Sequence, residues 1–132
     1  MNQVQPRARV LVVDDEPDLV RILQFGLQSA GYVVESASDG QEGLKKAREV
    51  KPDIILLDLM LPKLDGYKVC RLLKFDERYR QIPIIILSAR TQEGDQALAL
   101  EMGANRFVTK PYEFSEILGL VEELLKSASL RS

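Results

Sequence analysis

Short apolar runs alternate along the chain with longer segments of helical period. Runs at residues 10–13, 54–57 and 84–87 are continuous and rich in valine, isoleucine and leucine, which is typical of strands buried on both faces. Weaker runs at residues 33–34 and 107–109 predict two further strands. The pattern therefore predicts one sheet whose five strands are separated by other elements.

The intervening segments have the apolar spacing and the end signals of helices. They cover residues 17–30, 41–50, a segment that begins near residue 65, and residues 92–102 and 113–126. Pro17 and Gly31 mark the two ends of the first helix, and Asp39 with Glu42 is expected to cap the second. Strict alternation of this kind predicts a single doubly wound (βα)5 domain of the α/β class, with a parallel sheet and right-handed crossovers.

The length of 132 residues fits one domain, without an internal linker or repeat. We expect a flexible N-terminal segment at residues 1–7, the domain itself at residues 8–126, and a polar C-terminal tail at residues 127–132. A hydrophobic share of 45% and a charged share of 29% are those of an ordinary globular protein.

Charge and hydropathy exclude several kinds of partner. The formal charge of -2, without a basic run, provides no electrostatic footprint for nucleic acid. No apolar run approaches the roughly 18 residues of a membrane span. We therefore expect a cytoplasmic protein that binds neither nucleic acid directly nor a membrane.

Cysteine and histidine usage narrow the chemistry further. The one cysteine, Cys70, lies between apolar neighbours, and we interpret it as core packing. The chain contains no histidine, which excludes Ser-His and Cys-His catalysis and histidine-ligated zinc.

Polar residues follow four of the predicted strands at the points where the strands end. In open α/β sheets the functional crevice lies outside these carboxyl ends. Singly, each residue has an ordinary explanation as a helix cap, a turn residue or a solvated charge. Together, on neighbouring strands, they predict one site, which consists of Asp14 and Asp15 after the first strand, Asp58 after the third, Ser88 after the fourth and Lys110 after the fifth.

A group of carboxylates at one edge of a sheet requires a cation. Two carboxylates 4 Å apart repel by about 4 kcal/mol at the effective dielectric of a protein surface. Oxygen ligands without histidine or thiolate favour a hard ion, which we expect to be Mg²⁺, with Mn²⁺ as an alternative. Lys110 and Ser88 complete a receptor for a phosphoryl group, in which the Asp58 carboxylate attacks phosphorus and becomes an acyl phosphate.

Four stretches carry a resemblance to a known family. They are VLVVDDE (residues 10–16), PDIILLDLMLPKLDGY (52–67), IPIIILSAR (82–90) and GANRFVTKPY (103–112). In this order they resemble the receiver domain of two-component response regulators, over about residues 8–126. The resemblance implies a flavodoxin-like sheet of strand order 2-1-3-4-5. It also implies a regulatory domain, not an enzyme, that promotes its own phosphorylation and dephosphorylation.

The resemblance further implies how the phosphoryl group arrives. Asp58 would accept it from a phosphohistidine of a sensor histidine kinase or of a histidine phosphotransfer protein, which supplies the histidine that this chain lacks. The Mg²⁺ ion would be held by Asp14, Asp15, Asp58 and the backbone carbonyl of Met60.

A second set of residues is implied to respond to the phosphate. Ser88, the backbone amide of Ala89 and Lys110 would contact it, and Pro111 would follow a cis peptide bond. Ser88 and Phe107 would form the switch, although Phe107 also has an ordinary explanation as packing on the fifth strand.

The implied output surface is helix 4, strand 5 and helix 5, which adjoin Ser88 and Phe107. It would act on a downstream effector protein or on an output domain absent from this chain. Helix 5 carries Glu116, Glu122 and Glu123 in place of a basic set, so we do not expect a charged dimer interface. A monomer, or a weak phosphorylation-dependent dimer, is expected.

Two bulky residues, Met60 and Arg90, flank the expected approach of a hydrolytic water. We hypothesise that they cover this path and make self-dephosphorylation slow.

Two other functions compete with the phosphorylated switch. A metal-dependent phosphatase with an aspartate nucleophile resembles a DxDx[TV] pattern, but DLMLP at residues 58–62 lacks the second aspartate. A degenerate receiver would act as a constitutive binding module, but such proteins usually lack part of the acidic, hydroxyl and lysine set that is present here.

Overall fold

The computed structural model describes residues 8–89 and 95–131. Within these ranges, strands and helices alternate as the hydrophobic pattern predicts. The elements are β1 (Arg9–Val13), α1 (Pro17–Ser29), β2 (Val33–Ala37), α2 (Gly40–Val50), β3 (Ile54–Asp58), α3 (Gly66–Lys74), β4 (Ile84–Ser88), α4 (Asp95–Glu101), β5 (Arg106–Thr109) and α5 (Phe114–Arg131).

The five strands form one parallel sheet of order β2-β1-β3-β4-β5, which confirms the predicted doubly wound, flavodoxin-like fold. The chain winds from β1 outward to β2, returns to β3 on the other side of β1, and continues to β4 and β5. The winding therefore reverses at β1 and β3, and ligands of such sheets bind outside the carboxyl ends of the strands at this reversal.

Two hydrophobic clusters cover the two faces of the sheet. Alternate residues of each strand point to opposite faces, so Leu11 and Val13 belong to one cluster while Val10 and Val12 belong to the other. We call the cluster that contains Leu11 the first cluster and the one that contains Val10 the second. All five residues of β3 and of β4 are buried, which explains why their sequences are continuous apolar runs instead of alternating ones.

Two helix starts follow capping rules that the sequence signals. The Asp39 carboxylate accepts a hydrogen bond from the Glu42 amide at 2.8 Å, and the Glu42 carboxylate accepts one from the Ser38 amide at 2.8 Å. Asp65 caps α3 by accepting from the Lys68 amide at 3.0 Å. The predicted starts of α2 and α3 are confirmed to within a residue.

Two predicted helix boundaries differ from the structure. Helix α4 ends at Glu101 instead of the predicted residue 102, and the start predicted at residue 92 lies outside the described residues. Helix α5 continues to Arg131, so the prediction that it ends at residue 126 is wrong. The segment SASLR contains no glycine or proline, and nothing in it interrupts a helix that is already formed. The predicted segment 1–7 lies outside the described residues.

Cys70 packs in the first cluster, as its apolar neighbours predict. Its Sγ donates to the Met102 carbonyl oxygen at 3.5 Å, and burial raises the pKa of the thiol to about 11. Across the described ranges, no helix is long and apolar enough to cross a membrane.

Candidate functional site: a carboxylate cluster at the strand ends

Strand register brings two aspartates together at the carboxyl edge of the sheet. Val13, the last residue of β1, pairs with Leu57, so Asp14 and Asp58 follow a paired position on neighbouring strands. Both carboxylates are buried, with Asp14 2% exposed and Asp58 4% exposed. Burial of two like charges side by side is unfavourable without a compensating cation.

Lys110 supplies one compensating positive charge. Its ammonium Nζ donates to Asp14 Oδ2 at 2.9 Å, to Glu16 Oε1 at 3.0 Å and to Asp58 Oδ2 at 3.2 Å. Its backbone amide donates to the Ser88 carbonyl at 2.8 Å, which fixes the chain where β5 ends. The peptide bond between Lys110 and Pro111 is cis, as expected.

The pKa values of the charged groups follow from this arrangement. Burial raises the pKa of the Asp58 carboxyl, and the Met60 amide and Lys110 offset that effect only in part. Burial disfavours the charged form of Lys110, but hydrogen bonds to Asp14 and Glu16 outweigh it and raise the pKa of the ammonium. Lys110 is therefore a permanent cation of the site, and it does not act as a proton donor at neutral pH.

The cluster remains short of positive charge. One carboxylate oxygen from each of Asp14, Glu16 and Asp58 lies within 4.8 Å of the other two. Three carboxylates against one ammonium leave two negative charges in excess. A divalent cation would neutralise them.

The donor atoms also suit such an ion. Asp14 Oδ1 accepts from the Glu16 amide at 3.0 Å and Asp58 Oδ1 accepts from the Met60 amide at 3.1 Å, so backbone donors fix the orientation of both carboxylates. All the ligand atoms offered are hard oxygens, which is the donor set that Mg²⁺ and Mn²⁺ prefer.

Three of the predicted site residues lie beside this centre. Ser88 is fully buried and is the residue after Leu87, which pairs with Asp58. Ala89 lines a cavity of about 360 Å³ together with Lys110 and Glu16. Phe107 is half-buried and packs against the first cluster. Their phosphate-binding and switch roles stay predictions.

Two other predicted residues, Asp15 and Met60, have exposed side chains. Asp15 is exposed and is not part of the 4.8 Å cluster; with Asp14 it lines a separate cavity of about 400 Å³ between α1 and α2. Met60 is 58% exposed and contacts Asp58 through its amide. Arg90 lies outside the described residues.

Sequence reasoning missed the part that Glu16 has in the centre. Glu16 is not among the predicted site residues, yet its carboxylate is bound to Lys110 at 3.0 Å. The signal was its position directly after the paired aspartates, at the same edge of the sheet.

A glycine allows the start of α3 to approach the end of β3 closely. The Gly66 amide donates to the Leu59 carbonyl at 2.9 Å. A Cβ atom at this position would lie 2.2 Å from the Asp58 carbonyl oxygen and 2.7 Å from the Leu59 Cα, both of them backbone atoms. The backbone that carries Asp58 is therefore held at contact distance by a residue that must lack a side chain.

The family model of the response regulator receiver domain matches residues 10–122. The alkaline phosphatase synthesis transcriptional regulatory protein PhoP of Bacillus subtilis is 45% identical over 122 residues, which are 92% of this chain and 50% of that protein. The DNA-binding dual master transcriptional regulator RpaA of Synechocystis is 42% identical over 89% of this chain and 49% of that protein. The chain thus spans about half the length of these two relatives.

A solved structure agrees with these relatives. The signal receiver domain of a signal transduction histidine kinase from Syntrophus aciditrophicus superposes with a TM-score of 0.85. It is 33% identical, and the match covers 91% of each chain.

We predict that Gly66→Ala destabilises the protein by about 1–3 kcal/mol, because the new methyl group forces the backbone of Asp58 and Leu59 apart from α3. Urea unfolding measures the change. Gly119→Ala is the matched control, since a Cβ at Gly119 on α5 meets nothing within 4 Å and alanine should stabilise the helix by about 0.5–1 kcal/mol. Equal effects of the two substitutions would contradict the close approach at Gly66.

Proposed function

Since the chain belongs to the receiver domains of response regulators, we propose that it is a signalling switch that is activated by phosphorylation of Asp58. The observation that carries this proposal is the bonding of one ammonium, Lys110, to a buried Asp58 and to two further carboxylates at the carboxyl edge of the sheet. A sensor histidine kinase or a histidine phosphotransfer protein would be the donor.

The proposed reaction is the transfer of a phosphoryl group from nitrogen to oxygen. A carboxylate oxygen of Asp58 attacks phosphorus, the P–N bond to the partner's phosphohistidine breaks, and its electron pair stays on the imidazole. Asp58 lies within hydrogen-bond distance of both the Met60 amide and Lys110, so its orientation is fixed before the donor arrives.

Mg²⁺ would balance the charge on the transferred oxygens when it is bound. Asp14, Asp15, Asp58 and the Met60 carbonyl are the proposed ligands, of which the Asp14 and Asp58 carboxylates lie in the 4.8 Å cluster. Asp15, whose side chain is exposed, would have to turn toward the centre to take part.

In the phosphorylated state, Lys110 and Ser88 would have different hydrogen-bond partners from those in the free state. Lys110, Ser88 and the amide of Ala89 would contact the phosphoryl oxygens. Phe107 is placed two residues before Thr109, the partner of Ser88 in the sheet, so a shift of the β4 end reaches it along β5. The surface formed by α4, β5 and α5 would change as a result.

The proposed output is a partner that reads this surface. This surface includes the exposed Leu98 and Leu100 of α4, and an ion pair at 2.8 Å between Arg106 of β5 and Glu123 of α5. In a chain about twice this length, as in the two relatives, an output domain would be the reader; otherwise a separate effector would be. We do not propose that the receiver itself binds nucleic acid.

The proposed input surface is α1, which begins directly after the acidic cluster. Ile22 and Phe25 are 61% and 75% exposed, and with Asp18 and Arg21 they line a shallow cavity of about 640 Å³. A phosphohistidine can reach Asp58 only if its protein rests beside the mouth of the site. An exposed aromatic and an exposed aliphatic side chain on the adjoining helix would anchor it.

We predict that the protein incubated with Mg²⁺ and acetyl phosphate acquires one phosphoryl group, stable to acid and labile to base, and that Asp58→Asn acquires none. The amide cannot form an acyl phosphate in this reaction. Intact-protein mass spectrometry measures the added group. Continuous release of inorganic phosphate would indicate a phosphatase instead, and no modification of the unsubstituted protein would indicate a degenerate receiver.

We predict that Phe25→Ala slows phosphotransfer from a sensor kinase about tenfold or more, the size expected for a lost aromatic anchor. Its phosphorylation by acetyl phosphate should be unchanged, since the small donor needs no docking surface. Phe75→Ala is the matched control, because Phe75 is also 75% exposed but ends α3, away from the site. If both substitutions slow the kinase reaction equally, α1 is not the input surface.

We predict that Met60→Asn accelerates the decay of the phosphorylated protein about tenfold, or about 1.4 kcal/mol in the barrier, because a shorter polar side chain uncovers the approach of water. The loss of the phosphorylated species is followed by mass spectrometry after the donor is removed. An unchanged decay rate would show that Met60 does not limit access to the acyl phosphate.

A further inference from the structure

The hydroxyl group of Tyr112 is buried without a hydrogen-bond partner among the residues that the structure describes. The ring packs against the second cluster, and the residue lines the cavity of about 360 Å³ that Glu16 and Lys110 also line. Buried hydroxyls nearly always have a partner, because an unpaired one loses its hydration without compensation. Phenylalanine would fill the same space without this penalty, which suggests that the hydroxyl is used in another state of the site.

The charges of the carboxylate cluster act on this hydroxyl. Burial raises the pKa of Tyr112 to about 12, and the charges of Lys110, Asp14, Glu16 and Asp58 all act on it. At neutral pH the hydroxyl is therefore protonated and is able to donate a hydrogen bond.

Without a phosphoryl group, each of the three carboxylates already accepts a hydrogen bond from Lys110. An ammonium has three protons, and Lys110 uses them for its contacts with Asp14, Glu16 and Asp58. A phosphoryl group on Asp58 would add strong acceptor oxygens, and Lys110 would have to donate hydrogen bonds to them. At least one carboxylate would then lose its donor.

Glu16 is the carboxylate most easily released. Its side chain is 58% exposed, whereas that of Asp14 is 1% exposed and is oriented by a backbone amide. Glu16 also lines the cavity that Tyr112 lines, so the two residues adjoin the same space.

We propose that Tyr112 is a positioning residue for the phosphorylated state, in which its hydroxyl donates to the Glu16 carboxylate after Lys110 has moved to the phosphoryl group. The inference rests on the function proposed above. The new hydrogen bond holds Glu16 away from the phosphoryl oxygens, which it would otherwise repel, and it lets Lys110 stay on them.

The first test measures the free and the activated state separately. Beryllofluoride with Mg²⁺ is the probe for the phosphorylated state, and we expect Tyr112→Phe to bind it about tenfold more weakly. The melting temperature of the free variant should be unchanged or higher, because an unpaired hydroxyl has been removed. Tyr32→Phe is the control, since Tyr32 is half-buried against the same cluster but is not near the carboxylates; its beryllofluoride affinity should not change.

The second test identifies the acceptor by a double-mutant cycle with Glu16→Ala. If Tyr112 acts through Glu16, Tyr112→Phe should have no further effect on beryllofluoride affinity once Glu16 is absent. Equal effects of Tyr112→Phe with and without Glu16, or an unchanged affinity of Tyr112→Phe alone, would overturn the inference. Failure of the unsubstituted protein to bind beryllofluoride would instead overturn the proposed function.

Discussion

One ammonium group holds three carboxylates together at the edge of a parallel sheet, and the local structure depends on it. Asp14 and Asp58 are almost fully buried, and Lys110 has a side chain only 10% exposed. Buried ion pairs of this kind contribute little to stability, because the loss of hydration offsets the attraction, and apolar replacements are often as stable or more so. A stability argument therefore does not explain these residues. Their arrangement is better explained by what it binds.

The fold supplies this arrangement at low cost in backbone distortion. The acidic and basic residues follow directly from the ends of β1, β3 and β5, and their positions are set by strand register. Gly66 and Gly40 mark places where two backbone segments approach more closely than a side chain would allow, Gly66 against Asp58 and Gly40 against Leu64. Parallel strands bring residues that are 96 positions apart, such as Asp14 and Lys110, to within a hydrogen bond.

Those features that depend on local pattern were accessible from the sequence. The continuous apolar runs predicted β1, β3 and β4, and the expected cap at Asp39 and the predicted start near Asp65 located two helices. The convergence of Asp14, Asp58, Ser88 and Lys110 followed from the rule that parallel strands end at one edge. The strand order came from the family resemblance, since the apolar pattern alone does not say which strands are neighbours.

Other features depend on tertiary distances that no sequence pattern encodes. A long side chain such as Glu16 has several partners within reach, and its ion pair with Lys110 depends on where the ends of β1 and β5 lie in the folded sheet. The exposure of Asp15 and the burial of the Tyr112 hydroxyl also depend on tertiary distances. The end of α5 was misjudged for a different reason: small and hydroxyl residues were taken as a tail, although a helix needs a positive stop signal to end.

β5 and the residues that follow it contact both hydrophobic clusters. Phe107 packs on the first cluster, while Val108 and, beyond the cis peptide, Tyr112 pack on the second. Lys110 stands between them and is bonded to Asp58 through its ammonium and to Ser88 through its amide. A displacement of its ammonium toward a ligand on Asp58 therefore bears on residues of both clusters. In the switch that we propose, a shift of this one lysine would bias the surfaces on either side of β5, because packed cores change between discrete arrangements more readily than they deform.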